Sequence, residues 1–466
     1  MQTTAQQTSS ELAAERARLV RSRLPTEGLF AGHDWRVSTS PFRLPGHVAK
    51  DLEALGRVLL QFYRAVNLLY RKSAEGKQPE WVAGWLDQGK PAELVALQRS
   101  PVFKNEVPRV IRPDLLITEQ GLSVTELDSV PGGIGLTAWL NEVYSRIDAA
   151  PSAIYAHHSE ARQSGPENKP VILGGADGML RGFASIFGEA PRVHIVVSEE
   201  AATYRPEMNW IARQLGETRF KTQPAAFEDF ADGDAVYRFF ELFDLPNVPS
   251  SKRIFELASA KRIRLTPPPK PIFEEKMLFA LLWNRNLQGF WRQELGDAFF
   301  QRMLQMVPYS WVVDPSPLPP QGAIPELNLT DWRQLQLLSH KDRELILKIS
   351  GFSAHAWGAR GVYLGSDLPH ADWAAAVDQA ITSFAHSPYV LQRYNKPALV
   401  DATWFDFDRN EVIPMKGRVR LCPYYFVSGE AEAARAQLGG VLATICPADK
   451  KIIHGMTEAI FAPCST

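Results

Sequence analysis

The chain has 466 residues, 45% of them hydrophobic and 22% charged, with a formal net charge of −1. That is ordinary for a globular protein of two or three cores, and near-neutrality offers no polybasic surface for nucleic acid or an anionic membrane. No apolar run reaches membrane-spanning length, and three widely spaced cysteines (Cys422, Cys446, Cys464) suit neither a zinc site nor a disulfide framework, so a cytoplasmic setting is expected.

Residues 1–24 are polar, then charged, and lack the apolar stretch of a secretory leader; they read as a tail leading into a helix. Leu52, Leu55, Leu59, Leu60, Phe62, Val66 and Leu69 recur at helical spacing across residues 50–72, and residues 134–148 do the same. Between the two helices lies a hairpin. Residues 111–118 and 122–128 are strand-like around the loop Glu119-Gln120-Gly121, where Gly121 supplies φ > 0. With Thr118 facing Leu122, Asp114 stands opposite Glu126 and Arg112 opposite Asp128, all on one face. Three carboxylates so close repel one another unless a hard cation sits between them, and Mg²⁺ accepts such ligands. A solvated hairpin with a surface ion pair is the competing account. Ser129-Val-Pro-Gly132-Gly133-Ile-Gly135 follows immediately, and a glycine-rich turn lets backbone N–H groups approach an anion.

Residues 163–169 are polar with a Gly-Pro step, a linker pattern that closes a mixed α/β region of residues 1–165. The region 166–270 alternates strand and helix. Val171-Ile-Leu173 leads into Gly174-Gly175-Ala-Asp177-Gly178, a turn that could touch a substrate or, through Asp177, cap the next helix. Strands are expected at 193–197, 235–239 and 262–265, a parallel, Rossmann-like series. Its glycines lack the G-x-G-x-x-G spacing, which weighs against a nicotinamide enzyme.

Thr266-Pro-Pro-Pro-Lys-Pro271 is a rigid break that opens the region 271–466. A helical, aromatic stretch beginning near Lys276 runs to Phe300, followed by a Pro-rich loop over 315–325. Leu345-Ile-Leu-Lys348-Ile is a strand with one lysine in apolar surroundings, followed by a loop with Gly351, Gly358 and Gly361 and with Arg360. A lysine beside such a loop can neutralise phosphates while amides wrap them, although no Walker sequence is present. A surface lysine on an edge strand would look the same. Pro388-Tyr-Val-Leu391-Gln392-Arg393 is a strand whose end could meet a base edge, or equally a core strand with a capped end. Arg418 and Arg420 alternate along an apolar strand over 416–426 and could clamp a carboxylate or phosphate. His454 reads as structural rather than as a base.

A lysine strand, a G-x-R-G-V loop, a helix near Ala371-Asp372-Trp373 and a V-L-Q strand resemble the nucleotide half of an ATP-grasp domain. The acidic hairpin resembles its metal-binding half, placed before the lysine. That order is similar to circularly permuted ATP-grasp proteins, including the glutathionylspermidine synthetase group. The resemblance implies an α/β (α+β) ATP-grasp fold with a Rossmann-like pre-ATP-grasp domain at 166–270. It further implies Asp114, Glu126 and Asp128 as Mg²⁺ ligands, with Asp128 standing where that group has asparagine. Arg112, Lys348 and Arg360 would serve catalysis. Lys276, Lys348, Gly351, Gly358, Gly361, Leu391 and Gln392 would hold ATP. Ser129, Gly132, Gly133, Gly175, Arg418 and Arg420 would meet the substrate. The expected function is ATP-dependent joining of a small carboxylate, or a short peptide, to an amine or thiol through an acyl phosphate. A non-catalytic nucleotide- or partner-binding homologue is the alternative, with no nucleic-acid or membrane partner in either case. Oligomeric state is left open by the sequence.

Overall fold

The computed structural model describes residues 2–25, 35–149, 170–319, 322–356, 360–453 and 458–466, with the backbone alone for 2–9 and 148–149. The expected linker at 163–169, together with Gly358 and His454, lies outside the described residues. Sixteen strands are described in chain order. The first eight are β1 Arg36–Val37, β2 Phe42–Arg43, β3 Val110–Thr118, β4 Gly121–Asp128, β5 Val193–Val197, β6 Phe220–Pro224, β7 Ala235–Phe239 and β8 Arg264–Thr266. The remainder are β9 Ser310–Val312, β10 Leu345–Ile349, β11 Val362–Leu364, β12 Tyr389–Arg393, β13 Leu399–Asp406, β14 Glu411–Ser428, β15 Arg435–Pro447 and β16 Ile460–Ser465.

They form three sheets in a mixed α/β fold. The largest has eight strands in the order β1-β16-β15-β14-β3-β4, with β13 on β14 and β2 on β16. It therefore joins the hairpin near residue 120 to strands more than 280 residues later. One face carries Ile111, Leu115, Val419, Leu421 and Tyr425, which pack in a single apolar cluster with Leu52, Leu55, Leu59, Phe62, Val66 and Leu69 of the helix Gly46–Ala74. That helix approaches so closely that a Cβ on Gly56 would lie 2.5 Å from the Tyr425 ring. Because strand side chains alternate, the other face is left to Arg112, Asp114, Arg420, Cys422 and Tyr424. The buried helix thus determines which face of the sheet can become a site.

The second sheet is parallel, ordered β6-β5-β7-β8, and the third antiparallel, ordered β11-β10-β12-β9. Val171-Ile-Leu173, expected as a strand, contributes only an isolated bridge between Ile172 and Ser465, and the parallel sheet instead takes Phe220–Pro224. After β5 the chain runs into Ser198-Glu199-Glu200, with no glycine turn. The aromatic helical stretch divides at Asn284 into Leu278–Trp283 and Gln288–Met306. Residues 2–22 are helical, earlier than the expected tail. No helix among the described residues is long and apolar enough to cross a membrane.

Candidate functional site

The exposed face of the eight-stranded sheet is the floor of a cavity of about 470 Å³. β3 and β4 pair with Arg112 opposite Asp128 and Asp114 opposite Glu126. The route to that register differs from the sequence expectation. Thr118 pairs with Gly121, leaving a two-residue loop, and a bulge beyond Asp114 leaves Thr125 as the extra residue that restores the pairing. Gly121 does have φ +118°. β14 lies beside β3 with Arg420 opposite Leu116, and β15 adds Thr444 opposite Arg420. Period two on four strands thus assembles Asp128, Glu126, Arg112, Asp114, Arg420, Cys422, Tyr424 and Thr444 on one surface, all lining the cavity.

Each hairpin carboxylate has its own cation. Arg112 Nε lies 3.0 Å from Asp114 Oδ1, and its Nη2 lies 2.9 Å from Asp128 Oδ2. Arg420 Nη1 is 3.0 Å from Asp114 Oδ2, and Lys276 Nζ is 3.0 Å from Glu126 Oε1. Val130 N donates to Asp128 Oδ1 at 2.8 Å. Burial alone would raise the Asp114 carboxyl, but Arg112 and Arg420 pull it below the ordinary carboxylate range. Glu126 is likewise lowered: burial raises it, but Lys276 and Lys348 together more than offset that. Asp128 moves up, because burial and the neighbouring Glu126 exceed the help from Arg112.

At the expected metal site the structure shows ion pairs. Five of the six carboxylate oxygens of Asp114, Glu126 and Asp128 are engaged by protein donors. Among the described residues no group of three or more His, Cys, Asp or Glu side chains could hold a metal ion. In this structure the repulsion among the three carboxylates is relieved by arginine and lysine side chains.

The two lysines enter from other segments. Lys348 on β10 lines the cavity, its Nζ donating to Thr125 O at 2.9 Å and Gln392 Oε1 at 3.0 Å. Burial lowers its pKa to about 8, so it remains cationic at neutral pH. Lys276 Nζ also reaches Ala356 O at 3.2 Å, tying the lysine segment to the loop after β10. Gly351 in that loop lines the cavity and is required there, since a Cβ would fall 1.4 Å from Glu274 O. Beneath it, Glu275 pairs with buried Lys90 and accepts from Ser350 Oγ.

The glycine turn after β4 lines the cavity through Ser129, Gly132 and Gly133, but its amides do not wait for an anion. Glu207 Oε1 accepts from Gly133 N at 2.6 Å and Oε2 from Leu136 N at 3.1 Å. Gly132 O accepts from Tyr424 Oη at 2.8 Å and Arg112 Nη1 at 3.3 Å. Gly132 is needed for packing, because a Cβ would stand 2.2 Å from the Tyr204 ring.

Six other residues expected at the site lie away from the cavity wall. Gln392 is buried, pairs on β12, and spans Lys348 and Ser310 Oγ (3.0 Å). It orients the lysine and lines a small adjoining crevice. Leu391 is fully buried, on a strand hydrogen-bonded on both sides, opposite Leu347 and Trp311, so its backbone is not open to a base. Arg418 donates to the carbonyls of Ala448 (3.1 Å) and Pro397. Arg360 reaches Glu200 at 2.6 Å, and Gly361 packs against Ile349. Gly175 accepts from Asn141 Nδ2 at 3.2 Å, in a turn whose Gly174 rests on Gly439 of β15.

Several lining residues carry no pattern visible in the sequence. Glu241 and Glu274 face the cavity from the end of the parallel-sheet region and from the segment before Lys276. Burial, then Glu274, drives the Glu241 carboxyl well above its ordinary pKa. Ser129 and Thr444 carry buried hydroxyls with no hydrogen-bond partner among the described residues. Extending the alternation of Arg418 and Arg420 by two steps would have found Cys422 and Tyr424.

No family model matches the sequence, and no curated protein matches it. Among solved structures, a glutathione synthetase-like effector from Globodera pallida, in its apo form, superposes with TM-score 0.54 at 12% identity, covering 98% of this chain and 97% of that one. A protein provisionally called a gamma-glutamylcysteine synthetase, from Methylobacillus flagellatus KT, covers 87% of this chain and 88% of its own, with 11% identity and TM-score 0.37, too low to relate the folds. What the first likeness gives is a shared fold: the chain is built like a glutathione synthetase-like protein over nearly its whole length.

Proposed function

We propose that the chain is an ATP-dependent ligase of the permuted ATP-grasp type, joining a carboxylate to an amine or a thiol. The observation that carries this reading is the convergence of Lys276, Lys348, Arg112 and Arg420, from four separate segments, on one cavity. Four cations in a partly desolvated cleft suit a polyphosphate in transfer, where charge builds on the γ-phosphoryl oxygens. Unpartnered hydroxyls of Ser129 and Thr444 on the same wall offer further donors.

In this reading a carboxylate oxygen attacks the γ-phosphorus of ATP, the bond to the bridging oxygen breaks, and ADP leaves. The amine nitrogen then attacks the acyl-phosphate carbon, the carbon–oxygen bond breaks, and orthophosphate leaves with the proton lost by nitrogen passing to a base. Lys348 and Lys276 hold phosphate oxygens, Arg112 and Arg420 orient the carboxylate, and the loop after β10 excludes water. No step is assigned to a divalent cation, because the hairpin carboxylates are already paired.

That pairing favours a second reading, a nucleotide- or partner-binding protein without turnover. Incubating the full chain with ATP and pooled amino acids, short peptides and polyamines separates the two. Release of ADP and phosphate dependent on an acceptor supports the ligase. Nucleotide binding without release supports a nucleotide-binding protein, and no binding of ATP defeats the ligase and leaves the partner-binding form of the alternative.

A further inference from the structure

Glu207 lies on the helix Arg205–Leu215, beside the parallel sheet, yet its carboxylate is spent on the turn that follows β4. We infer that Glu207 is a positioning residue for the proposed reaction: it fixes the Gly132–Gly133 turn and, through Gly132 O, the guanidinium of Arg112 in the cavity. The inference rests on the reading of that cavity as a phosphoryl-transfer site.

Three observations carry it. The helix Ile134–Ala149 begins at this turn, where Ser, Thr, Asn or Asp would ordinarily satisfy the first amides locally. Glycine stands there instead, and a side chain 74 residues away supplies both acceptors. The two helices meet closely enough that a Cβ on Gly135 would lie 2.9 Å from Glu207 O, so the approach is built into the sequence. Lastly, Glu207 is 6% exposed, and no cation forms an ion pair with its carboxylate among the described residues. The groups facing it are Arg112, Tyr204, Tyr237 and Tyr424. Burial pushes its pKa up to about 7. A buried, unbridged carboxylate costs stability, and such a cost is tolerated where geometry at a site depends on it. Glu207 itself does not line the cavity, so its action runs through the turn.

The experiment compares the full chain with Glu207→Leu and Glu207→Gln. It reads amide exchange at Gly133 and Leu136, and calorimetric affinity for adenylyl imidodiphosphate. For Glu207→Leu the two amides should exchange at least about tenfold faster, β5 should be unchanged, and nucleotide affinity should fall about tenfold. Glu207→Gln keeps one acceptor oxygen and should recover most of both losses, a rescue that loss of packing alone would not give. Unchanged exchange in Glu207→Leu, or faster exchange with undiminished affinity, overturns the inference. If that variant does not fold, Glu207→Gln carries the same comparison, with about a threefold loss expected and equality with wild type overturning it. A wild-type chain that binds no nucleotide defeats the functional reading instead, a result distinct from equal affinities.

Discussion

Arg112 spans the hairpin to Asp128, Nη2 to Oδ2 at 2.9 Å, while its Nε lies 3.0 Å from Asp114 Oδ1 on its own strand, an ion pair without hydrogen-bond alignment. One guanidinium therefore satisfies two carboxylates that would otherwise face each other across a partly buried floor. Asp128 is the residue that makes this possible, since an asparagine there would offer Arg112 no charge. The permuted ATP-grasp resemblance assigns these carboxylates to a metal, whereas here they are the counter-ions of the cavity's arginines.

Replacing Arg112 by methionine should be costly for that reason. Among the described residues Asp128 loses its only ion-pair partner and Asp114 one of two, leaving buried charge uncompensated, at about 3–5 kcal/mol for a buried pair broken on one side. Urea unfolding of Arg112→Met at pH 7 checks this. A change below about 1 kcal/mol would mean that solvent in the cavity already screens the carboxylates.

Lys348→Met should weaken ATP binding by about 1.5–3 kcal/mol, the scale of a charge-assisted hydrogen bond. The pH dependence has a definite sign. Burial lowers the lysine to about 8, so its charge is present below that value and lost above it. Affinity in wild type should fall as pH rises from 7 to 9.5, whereas Lys348→Met should be flatter over that range. Gln392→Leu, which removes the acceptor that aims the ammonium, should cost about 1 kcal/mol in the same titration.

The pairing of Arg112, Asp114, Glu126 and Asp128 was legible because a strand has period two and the connecting loop is short. Even so, a bulge at Thr125 was needed to compensate for a loop one residue shorter than expected. Lys348 was legible as a lone cation in the apolar run 345–349. The sequence could not show that Gln392 and Leu391 sit on a central strand, because β12 looks the same whether its edge is open or, as here, covered on both sides by β10 and β9. Glu207, Glu241 and Glu274 had no local signature at all. Glu241 and Glu274 reach the cavity, and Glu207 the turn beside it, from elements whose own patterns report only helix, strand or loop, and only the tertiary packing brings them in. The glycines of the turn were read as room for a ligand, yet Tyr204 and Glu207 take that room.

Glu207 should leave its mark on stability as well. Its folded pKa of about 7 lies above the ordinary 4.5, so the folded state binds the proton more tightly than the unfolded one. The resulting stabilisation is complete below pH 4.5 and lost as pH rises through 7, on the order of 3 kcal/mol. Wild type should therefore be less stable at pH 8 than at pH 5 relative to Glu207→Gln, which cannot ionise. Parallel stability curves for the two proteins over that window would show that the carboxylate is better compensated than its surroundings indicate.

Gly351 joins the two lysine segments, and its substitution should separate stability from binding. A Cβ there would lie 1.4 Å from Glu274 O, so the loop after β10 must move away from residues 274–276. Forcing that displacement costs about 1–3 kcal/mol. Because Lys276 Nζ rests on Ala356 O, the same displacement draws Lys276 away from Glu126. Gly351→Ala should accordingly lose nucleotide affinity beyond its loss in stability. In wild type, amide exchange over residues 350–356 should slow when adenylyl imidodiphosphate is added, since a loop that admits a nucleotide and then excludes water must tighten on it. Exchange in β5 and β7 should stay constant. Equal exchange at 350–356 with and without bound nucleotide would remove this loop from the phosphate site and leave that role to the cations and hydroxyls of the cavity wall.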